Sequence, residues 1–212
     1  MNNPAFSQNR NRSAMTLIEL LVVIAIIGVL FACIYPALKA GMGSANRIKC
    51  LNNLKQLGMA AELYAQDNDN RFSDIDIWPP ELSPYLLKTL VQDMPTHSKN
   101  TPFWCPSAIP AQVDPNLNGN VTYGINVVGY AGQGRLRLLS NNGQPVVLSK
   151  LIAFLDASGK NVWEGGPERV SLRHGAGYNV VFADGHVEAL QTQQYAPGSK
   201  EWKNLLWGYT RY

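Results

Sequence analysis

A long apolar run near the N-terminus limits this chain to a few architectures. Residues are apolar at nearly every position from Leu20 to Leu38, and Leu17 and Ile18 extend the run towards the N-terminus. A membrane-spanning helix needs about 20 such residues, so the run has the length of a single transmembrane span. It has no polar face, which excludes an amphipathic helix lying on a protein surface.

A cleaved secretory signal is the main alternative for such a run. That class of signal has a shorter apolar core of about 7–15 residues, followed closely by a small-residue cleavage site. The run in this chain is longer, and no A-x-A site follows it closely. We therefore expect the run to remain in the mature protein.

Glu19 places a carboxylate inside the apolar run. An ionisable group within a membrane span is costly and usually has a partner nearby. One interpretation is an acid at the start of a helix, where the helix dipole favours negative charge. The other is that Glu19 pairs with a cation inside the apolar layer, and the residues alone leave both open.

The segment MTLIELLVVIAIIGVL, residues 15–30, resembles the type IV prepilin signature of pilins and type II secretion pseudopilins. The resemblance implies that a prepilin peptidase cuts between Ala14 and Met15, where the family usually has Gly and Phe. The same enzyme would methylate the new amine of Met15. Glu19 would then pair with the Met15 amine of a neighbouring subunit and set the axial register, because an unpaired carboxylate in a dry layer is penalised. Pro36 resembles a family proline that bends the N-terminal helix.

A second periodicity follows the apolar run. Apolar residues recur at three- and four-residue steps over residues 48–64, which predicts an amphipathic helix with one face on a core. The sequence therefore predicts four parts: a basic leader over 1–14, a transmembrane and assembly helix over 15–38, an amphipathic helix over 39–66 and a globular head over 67–212.

The head has the short, turn-bounded segments of an antiparallel sheet. Residues 121–130 and 145–157 are β-branched and aromatic and are predicted as strands. A short helix is predicted over residues 82–91. The predicted fold class is α+β, with the long N-terminal helix packed on an antiparallel sheet.

The C-terminal part of the head contains YNVVFADGHVEAL, residues 178–190. Asp184-Gly185 between two alternating runs predicts a hairpin with a two-residue turn. That register pairs Phe182 with Val187 and gives one apolar face.

His174 precedes Asp184-Gly185 with nine residues between them. This spacing resembles the H-x9-D-G element of a prepilin-like family found in several bacterial groups. CLNNLKQLG from Cys50, CPS from Cys105 and the YGIN segment also resemble that family. Its activity is poorly defined, so the resemblance adds fold and class but no chemistry.

The three cysteines divide by location. Cys33 lies inside the apolar run and is most simply a small buried hydrophobe. Cys50 and Cys105 lie in the part expected outside the membrane and could form a disulfide if that part is outside the cytoplasm. Two separate thiols are equally compatible with the sequence.

No catalytic, cofactor or metal site is predicted. His174 and Asp184 would lie about 25–30 Å apart along a strand, and His186 with Asp184 supplies too few ligands for zinc. DNDNR, residues 67–71, does not have the Gly and distal Glu of a calcium loop and is predicted as a polar turn. The net charge of +3 with scattered Lys and Arg argues against a nucleic-acid partner.

Together these observations predict a non-enzymatic structural subunit, processed by prepilin peptidase and assembled into a type IV pilus or a type II secretion pseudopilus. The resemblance implies as partners the peptidase/methyltransferase, other pilin or pseudopilin subunits, an inner-membrane assembly platform and membrane lipid. The expected location is the bacterial inner membrane, single-pass, with the head in the periplasm or on a filament. The alternative is a membrane-tethered binding or enzymatic domain whose helix is only an anchor.

Overall fold

The computed structural model of the chain describes residues 15–69, 71–73, 78–87, 101–108, 121–126, 147–157, 164–165 and 170–193. The chain divides into two compact units after Met42. Within the described ranges the elements are, in chain order, α1 (Leu17–Asp67), α2 (Trp78–Leu87), β1 (Tyr123–Asn126), a 3-10 helix (Leu148–Lys150), β2 (Ile152–Asp156), β3 (Glu164–Gly165), β4 (Gly177–Phe182) and β5 (Val187–Gln191). This is the predicted α+β class.

The part of α1 in the first unit exposes its apolar side chains. Leu17 is 80% exposed and Phe31 is 71% exposed. Among the described residues, α1 is the one helix long and apolar enough to cross a membrane, and no residue of its most apolar stretch is buried. A continuous apolar surface of this kind is typical of contact with lipid or with another protein.

The part of α1 in the second unit buries one face. Cys50, Leu54, Leu57 and Ala61 recur at three- and four-residue steps and are buried, whereas Leu63 on another side of the helix is exposed. This spacing is that of an amphipathic helix on a core, because residues three and four apart share a face.

The sheet has the strand order β3-β1-β2-β4-β5. Neighbouring strands are antiparallel except β1 and the two-residue β3, which pair in parallel through Ile125 and Glu164. One buried cluster contains Ile125, Phe154 and Val181 together with the buried face of α1. A second buried cluster contains the other set of strand side chains: Ile152, Leu155, Tyr178, Val180, Phe182 and Leu190.

The C-terminal hairpin is present, but its register differs from the prediction. Val181 pairs with Val187 and Val180 with Glu188, whereas the sequence predicted Phe182 opposite Val187. A shift of one residue changes the face on which each side chain lies. As a result Val181 and Val187 share the cluster that includes α1.

The turn explains this difference. The loop holds three residues, 183–185, because the Gly185 N–H donates to the Phe182 carbonyl (2.8 Å) and the Phe182 N–H donates to the His186 carbonyl (2.9 Å). Gly185 has a φ of 82°, the left-handed conformation that closes a three-residue loop with a bulge. The prediction of a two-residue turn was wrong, because an Asp-Gly pair is compatible with a two-residue loop and with a three-residue loop.

The remaining elements are shifted from their predicted ranges. α2 begins at Trp78 rather than at residue 82, since Pro79 and Pro80 are tolerated in a first helical turn, where no N–H partner is needed. Residues 88–91 and 127–130 of the predicted elements lie outside the described residues. Of the predicted strand over 145–157, the described residues 147–157 form a 3-10 helix followed by β2, and residues 145–146 lie outside the described residues.

Candidate functional site

Glu19 and Thr16 form a reciprocal cap at the start of α1. The backbone N–H and the hydroxyl of Thr16 both donate to Glu19 Oε2 (2.8 Å each), and the Glu19 N–H donates to Thr16 Oγ1 (3.4 Å). Such a capping box satisfies N–H groups that have no partner inside the helix. Within one chain, Glu19 is therefore an acid at a helix start, and the T-x-x-E spacing is the sequence signal for it.

The other predicted residues of the N-terminal segment lie close by or within α1. Met15 directly precedes the cap and is 62% exposed. Pro36 lies inside α1, and its predicted role as a bend remains a prediction. Ala14, with the rest of the leader, lies outside the described residues.

In the head, Cys50 of α1 and Cys105 are joined by a disulfide, the pairing that the sequence left open. Both cysteines are fully buried. Next to this cross-link, Asn53 donates from its side-chain amide to the Trp104 carbonyl (2.8 Å). The Cys105 N–H donates to Thr122 Oγ1 (2.6 Å). The loop around Cys105 is therefore held to both α1 and the residue before β1.

His174 lies against this disulfide. Its Nε2 is 3.5 Å from Cys105 Sγ and 3.3 Å from Asp156 Oδ2, and the His174 and Asp156 side chains are 1% and 0% exposed. Asp156 Oδ2 also accepts the N–H of Asn179 (2.8 Å). Asp156 was not predicted as a site residue, and the signal available in the sequence was a carboxylate that directly follows the apolar residues of a predicted strand.

Arg173 is a partly buried cation beside these residues. Its guanidinium donates to Ser171 Oγ (3.0 Å), to the Thr122 carbonyl (3.1 Å) and to the Ala157 carbonyl. Burial lowers the pKa of Arg173, and the nearby charge of Asp156 acts in the opposite direction.

Tyr123 lies at the same end of the sheet, opposite Asp156 in the β1–β2 register. Burial, followed by the negative charge of Asp156, raises the pKa of Tyr123 well above its usual value. Its hydroxyl accepts from Asn53 Nδ2 (3.3 Å) and donates to the Cys50 carbonyl (3.4 Å). The buried polar groups therefore connect α1, β1 and β2 at one end of the sheet.

The other half of the H-x9-D-G element lies at the opposite end of β4. Asp184 Oδ1 accepts from the His186 N–H (3.2 Å) and lies in contact with His186 Nδ1, and both side chains are exposed. Burial alone would raise the pKa of Asp184, but the hydrogen bonds from His186 outweigh it and lower the pKa. Lys55 of α1 donates to the Gly185 carbonyl (2.7 Å). The two parts of the H-x9-D-G element therefore make separate contacts at opposite ends of β4. His174 and Asp184 do not lie in one site.

Comparison with known proteins identifies the class of the N-terminal segment. A family described as the prokaryotic N-terminal methylation motif matches residues 9–34. The segment is prepilin-like. The chain is also 35% identical over 65 residues to type II secretion system core protein G of Aeromonas hydrophila, an alignment that covers 31% of this chain and 45% of that relative. No solved structure matches the chain.

The chain therefore spans less than half the length of this curated relative. Together with the helix-plus-sheet fold, the motif and the relative support the prediction of a prepilin-like or pseudopilin-like protein. The matches point to a structural, pilin-like subunit.

Proposed function

We propose that this protein is a structural subunit of a filament of the type IV pilus or type II secretion pseudopilus class. The observation that carries the proposal is the prepilin-type segment at residues 9–34, which places Glu19 four residues after Met15. In this proposal the peptidase cuts between Ala14 and Met15 and methylates the Met15 amine. The mature chain then begins with the apolar part of α1.

The exposed apolar surface of the first unit supports a stem that contacts lipid in the membrane and other stems in the filament. Apolar side chains around the whole helix gain little from a membrane-to-filament transfer by hydrophobicity alone, because lipid is equally apolar. Polar contacts between stems can therefore decide the alignment of subunits. Glu19 is the one carboxylate between Met15 and Leu38, so we assign it the register role.

The capping box bears on how Glu19 would act during assembly. In the free subunit its Oε2 is satisfied by Thr16, so the carboxylate does not enter the apolar layer unpaired. A neighbouring Met15 amine would add a full positive charge, and hydrogen bonds between charged groups are roughly twice as strong as neutral ones. Pairing between subunits would thus build on an oriented carboxylate.

The head would be displayed by this stem on the periplasmic side of the inner membrane or on the filament surface. The buried Cys50–Cys105 disulfide supports a compartment outside the cytoplasm, because disulfides persist in oxidising environments. The partners in this proposal are the prepilin peptidase/methyltransferase, sibling pilin or pseudopilin subunits, an inner-membrane assembly platform and lipid.

The experiment uses Glu19→Gln and Glu19→Ala in the native host, with Glu62→Gln as the matched control on the exposed side of α1. Gln retains an oxygen that accepts the Thr16 hydrogen bonds but removes the charge. We expect both Glu19 variants to insert into the membrane but not to enter sheared or pelletable filaments, whereas Glu62→Gln assembles normally. The matched readout is mass spectrometry of the extracted chain, which should begin at N-methylated Met15.

Two results would overturn the proposal. One is a native chain that retains its first fourteen residues, since the Met15 amine would then never form. The other is normal assembly of Glu19→Gln, which would leave Glu19 with the helix-start role alone. If the wild-type chain also enters no filament, while Glu19→Ala keeps normal localisation and head function, the membrane-tethered domain is favoured instead.

A further inference from the structure

Charges are segregated by sign along the part of α1 in the second unit. Three cations come first and two acids come last: Arg47, Lys49 and Lys55 precede Glu62 and Asp67. No acid lies between the three cations. At about 1.5 Å per residue, Arg47 and Asp67 are about 30 Å apart along the helix. The basic end is the one that the chain enters from the stem, and we call Arg47 and Lys49 the basic pair.

Arg47 has a buried donor without a described acceptor. It precedes Cys50 by three positions and Leu54 by seven, so it continues the buried face of α1 one step towards the stem. Its Nε is buried and has no hydrogen-bond partner in the part of the chain that the structure describes. The described carboxylates that form ion pairs do so with His174 and His186. Within the described ranges no carboxylate neutralises Arg47, so the charge is available to a group outside the head.

The basic pair lies within reach of the membrane surface that the stem would cross. Arg47 is partly exposed and Lys49 is exposed, so a group on the solvent side can contact both. Nine positions separate Arg47 from Leu38, the last residue of the apolar run, and nine residues of helix rise by about 13 Å. Helical side chains point towards the N-terminus, which recovers about 6 Å for an arginine. The guanidinium then reaches to about 7 Å from the apolar layer, within a headgroup region about 5–8 Å thick.

Lipid phosphate is the acceptor that this surface fits best. A guanidinium binds a phosphate through two parallel hydrogen bonds, and a lysine adds a point charge. An anionic membrane surface attracts cations that lie next to a membrane span. It would repel Glu62 and Asp67, which lie towards the other end of the helix. The order of charges along α1 therefore matches an anionic surface on the stem side.

We propose that Arg47 and Lys49 form a binding site for the phosphate of an anionic phospholipid at the membrane surface. The inference rests on the proposed membrane location of the stem and does not depend on filament assembly. Bound lipid would hold the unassembled subunit in membrane regions that are rich in anionic lipid. A subunit that leaves the membrane for a filament would have to give up these contacts.

The first test measures lipid binding to the full-length chain in detergent micelles by native mass spectrometry. Phosphatidylglycerol and phosphatidylcholine with the same acyl chains are the two probes. We expect wild type to bind phosphatidylglycerol in preference to phosphatidylcholine. Each cation next to a membrane span contributes about five-fold in affinity for an anionic surface, so Arg47→Gln/Lys49→Gln should bind phosphatidylglycerol about 25-fold more weakly.

The matched control removes the same charge elsewhere in the second unit. Lys55→Gln/Lys150→Gln also loses two positive charges. Lys55 already donates to the Gly185 carbonyl (2.7 Å), and Lys150 is an exposed residue of the 3-10 helix. This control should bind phosphatidylglycerol as wild type does, because neither lysine belongs to the basic pair.

A second measurement needs no variant. Wild type is placed in nanodiscs of phosphatidylcholine, with or without phosphatidylglycerol, and acetylation of lysines is followed by peptide mass spectrometry. Phosphatidylglycerol should slow the acetylation of Lys49 relative to Lys150 by about five-fold. About 1 M salt should restore the rate, because it shortens the screening length to about 3 Å.

Three results would overturn the proposal. One is equal binding of phosphatidylglycerol by Arg47→Gln/Lys49→Gln and its control, and another is an acetylation rate of Lys49 that does not depend on the lipid. The third is wild-type lipid binding by Arg47→Gln/Lys49→Gln together with loss of filament entry, which would assign the basic pair to contacts between subunits. Lipid binding is measured on single chains, so normal assembly of Glu19→Gln would refute the register role and leave the lipid site intact.

Discussion

A Cβ atom on Gly58 would lie 2.9 Å from Cγ2 of Val181, closer than real side chains pack. Val181 is fully buried in β4, so the backbone of α1 rests directly on a strand side chain at this point. Glycine inside a helix costs about 0.5–1 kcal/mol relative to alanine. The close approach is the physical reason to have glycine here.

We predict that Gly58→Ala destabilises the head by about 1 kcal/mol. The overpacking cost of about 1–3 kcal/mol exceeds the helix-propensity gain of about 1 kcal/mol. Gly43→Ala is the control, because its Cβ would meet nothing within 4 Å, and it should be neutral or stabilising. Denaturant unfolding of the full chain in detergent measures both, and equal stabilisation by the two variants would contradict the prediction.

Loss of the cross-link should have a larger effect. The disulfide joins residues 55 apart in sequence, and closing such a loop stabilises a fold by about 4 kcal/mol in the chain-entropy model. The double variant Cys50→Ser/Cys105→Ser should lose stability of that order in denaturant titration. Cys33→Ser should lose none, since Cys33 forms no cross-link, and a similar loss there would argue against the assignment.

Arg173 should be required for the stability of the end of the sheet that carries Tyr123 and Asp156. Arg173→Met removes the donors to the Thr122 and Ala157 carbonyls. The Thr122 carbonyl keeps the Ala157 N–H as a donor (3.1 Å), so the Ala157 carbonyl is the acceptor that the variant deprives of its donor. A buried acceptor left unpaired costs about 1–3 kcal/mol, and we expect a loss of that order. Arg173→Lys keeps the charge but not the fork of donors and should fall between wild type and Arg173→Met. Thermal unfolding ranks the three proteins, and a wild-type midpoint for Arg173→Met would refute this role.

The raised pKa of Tyr123 makes the stability of the head depend on alkaline pH. Below the unfolded pKa of about 10 the hydroxyl is protonated in both states, so its contribution is complete. Above that pH the unfolded state loses the proton first, and stability falls by about 1.4 kcal/mol per pH unit until the folded pKa is reached. The phenol therefore stabilises below about pH 10 and destabilises progressively above it.

We expect wild type to lose about 1 kcal/mol more than Tyr123→Phe between pH 10 and pH 11, because the unfolded phenol is already half ionised at pH 10. At pH 8 the variant should be weaker by about 1 kcal/mol, because it loses the hydrogen bonds to Asn53 and the Cys50 carbonyl. Tyr85 also has a raised pKa, but it is present in both proteins and cancels. Parallel pH profiles for the two proteins would show that Tyr123 is not the titrating group.

The N-terminal helix could be predicted from the sequence because its signals are local. An apolar run and a 3.6-residue periodicity are properties of contiguous residues, and α1 runs over Leu17–Asp67 as a result. Glu19 could likewise be interpreted as an acid at a helix start without knowledge of the tertiary fold.

The buried site of the head could not be predicted in the same way. His174 meets Asp156 and Cys105 across 18 and 69 positions of the chain. Only the order of β2 and β4 in the sheet and the path of the Cys105 loop bring them together. The hairpin register failed for a related reason, since one left-handed glycine decides it and Asp-Gly is compatible with either loop.

The position of Cys50 determines how the head would respond to a pull on its stem. Tension that travels along α1 from the N-terminus reaches a covalent bond at Cys50 before it reaches the packing contacts of Leu54 and Leu57. A pull on the stem would therefore move α1 and the sheet together and would not separate the helix from the sheet. Cutting that bond would transfer the force to side-chain contacts alone.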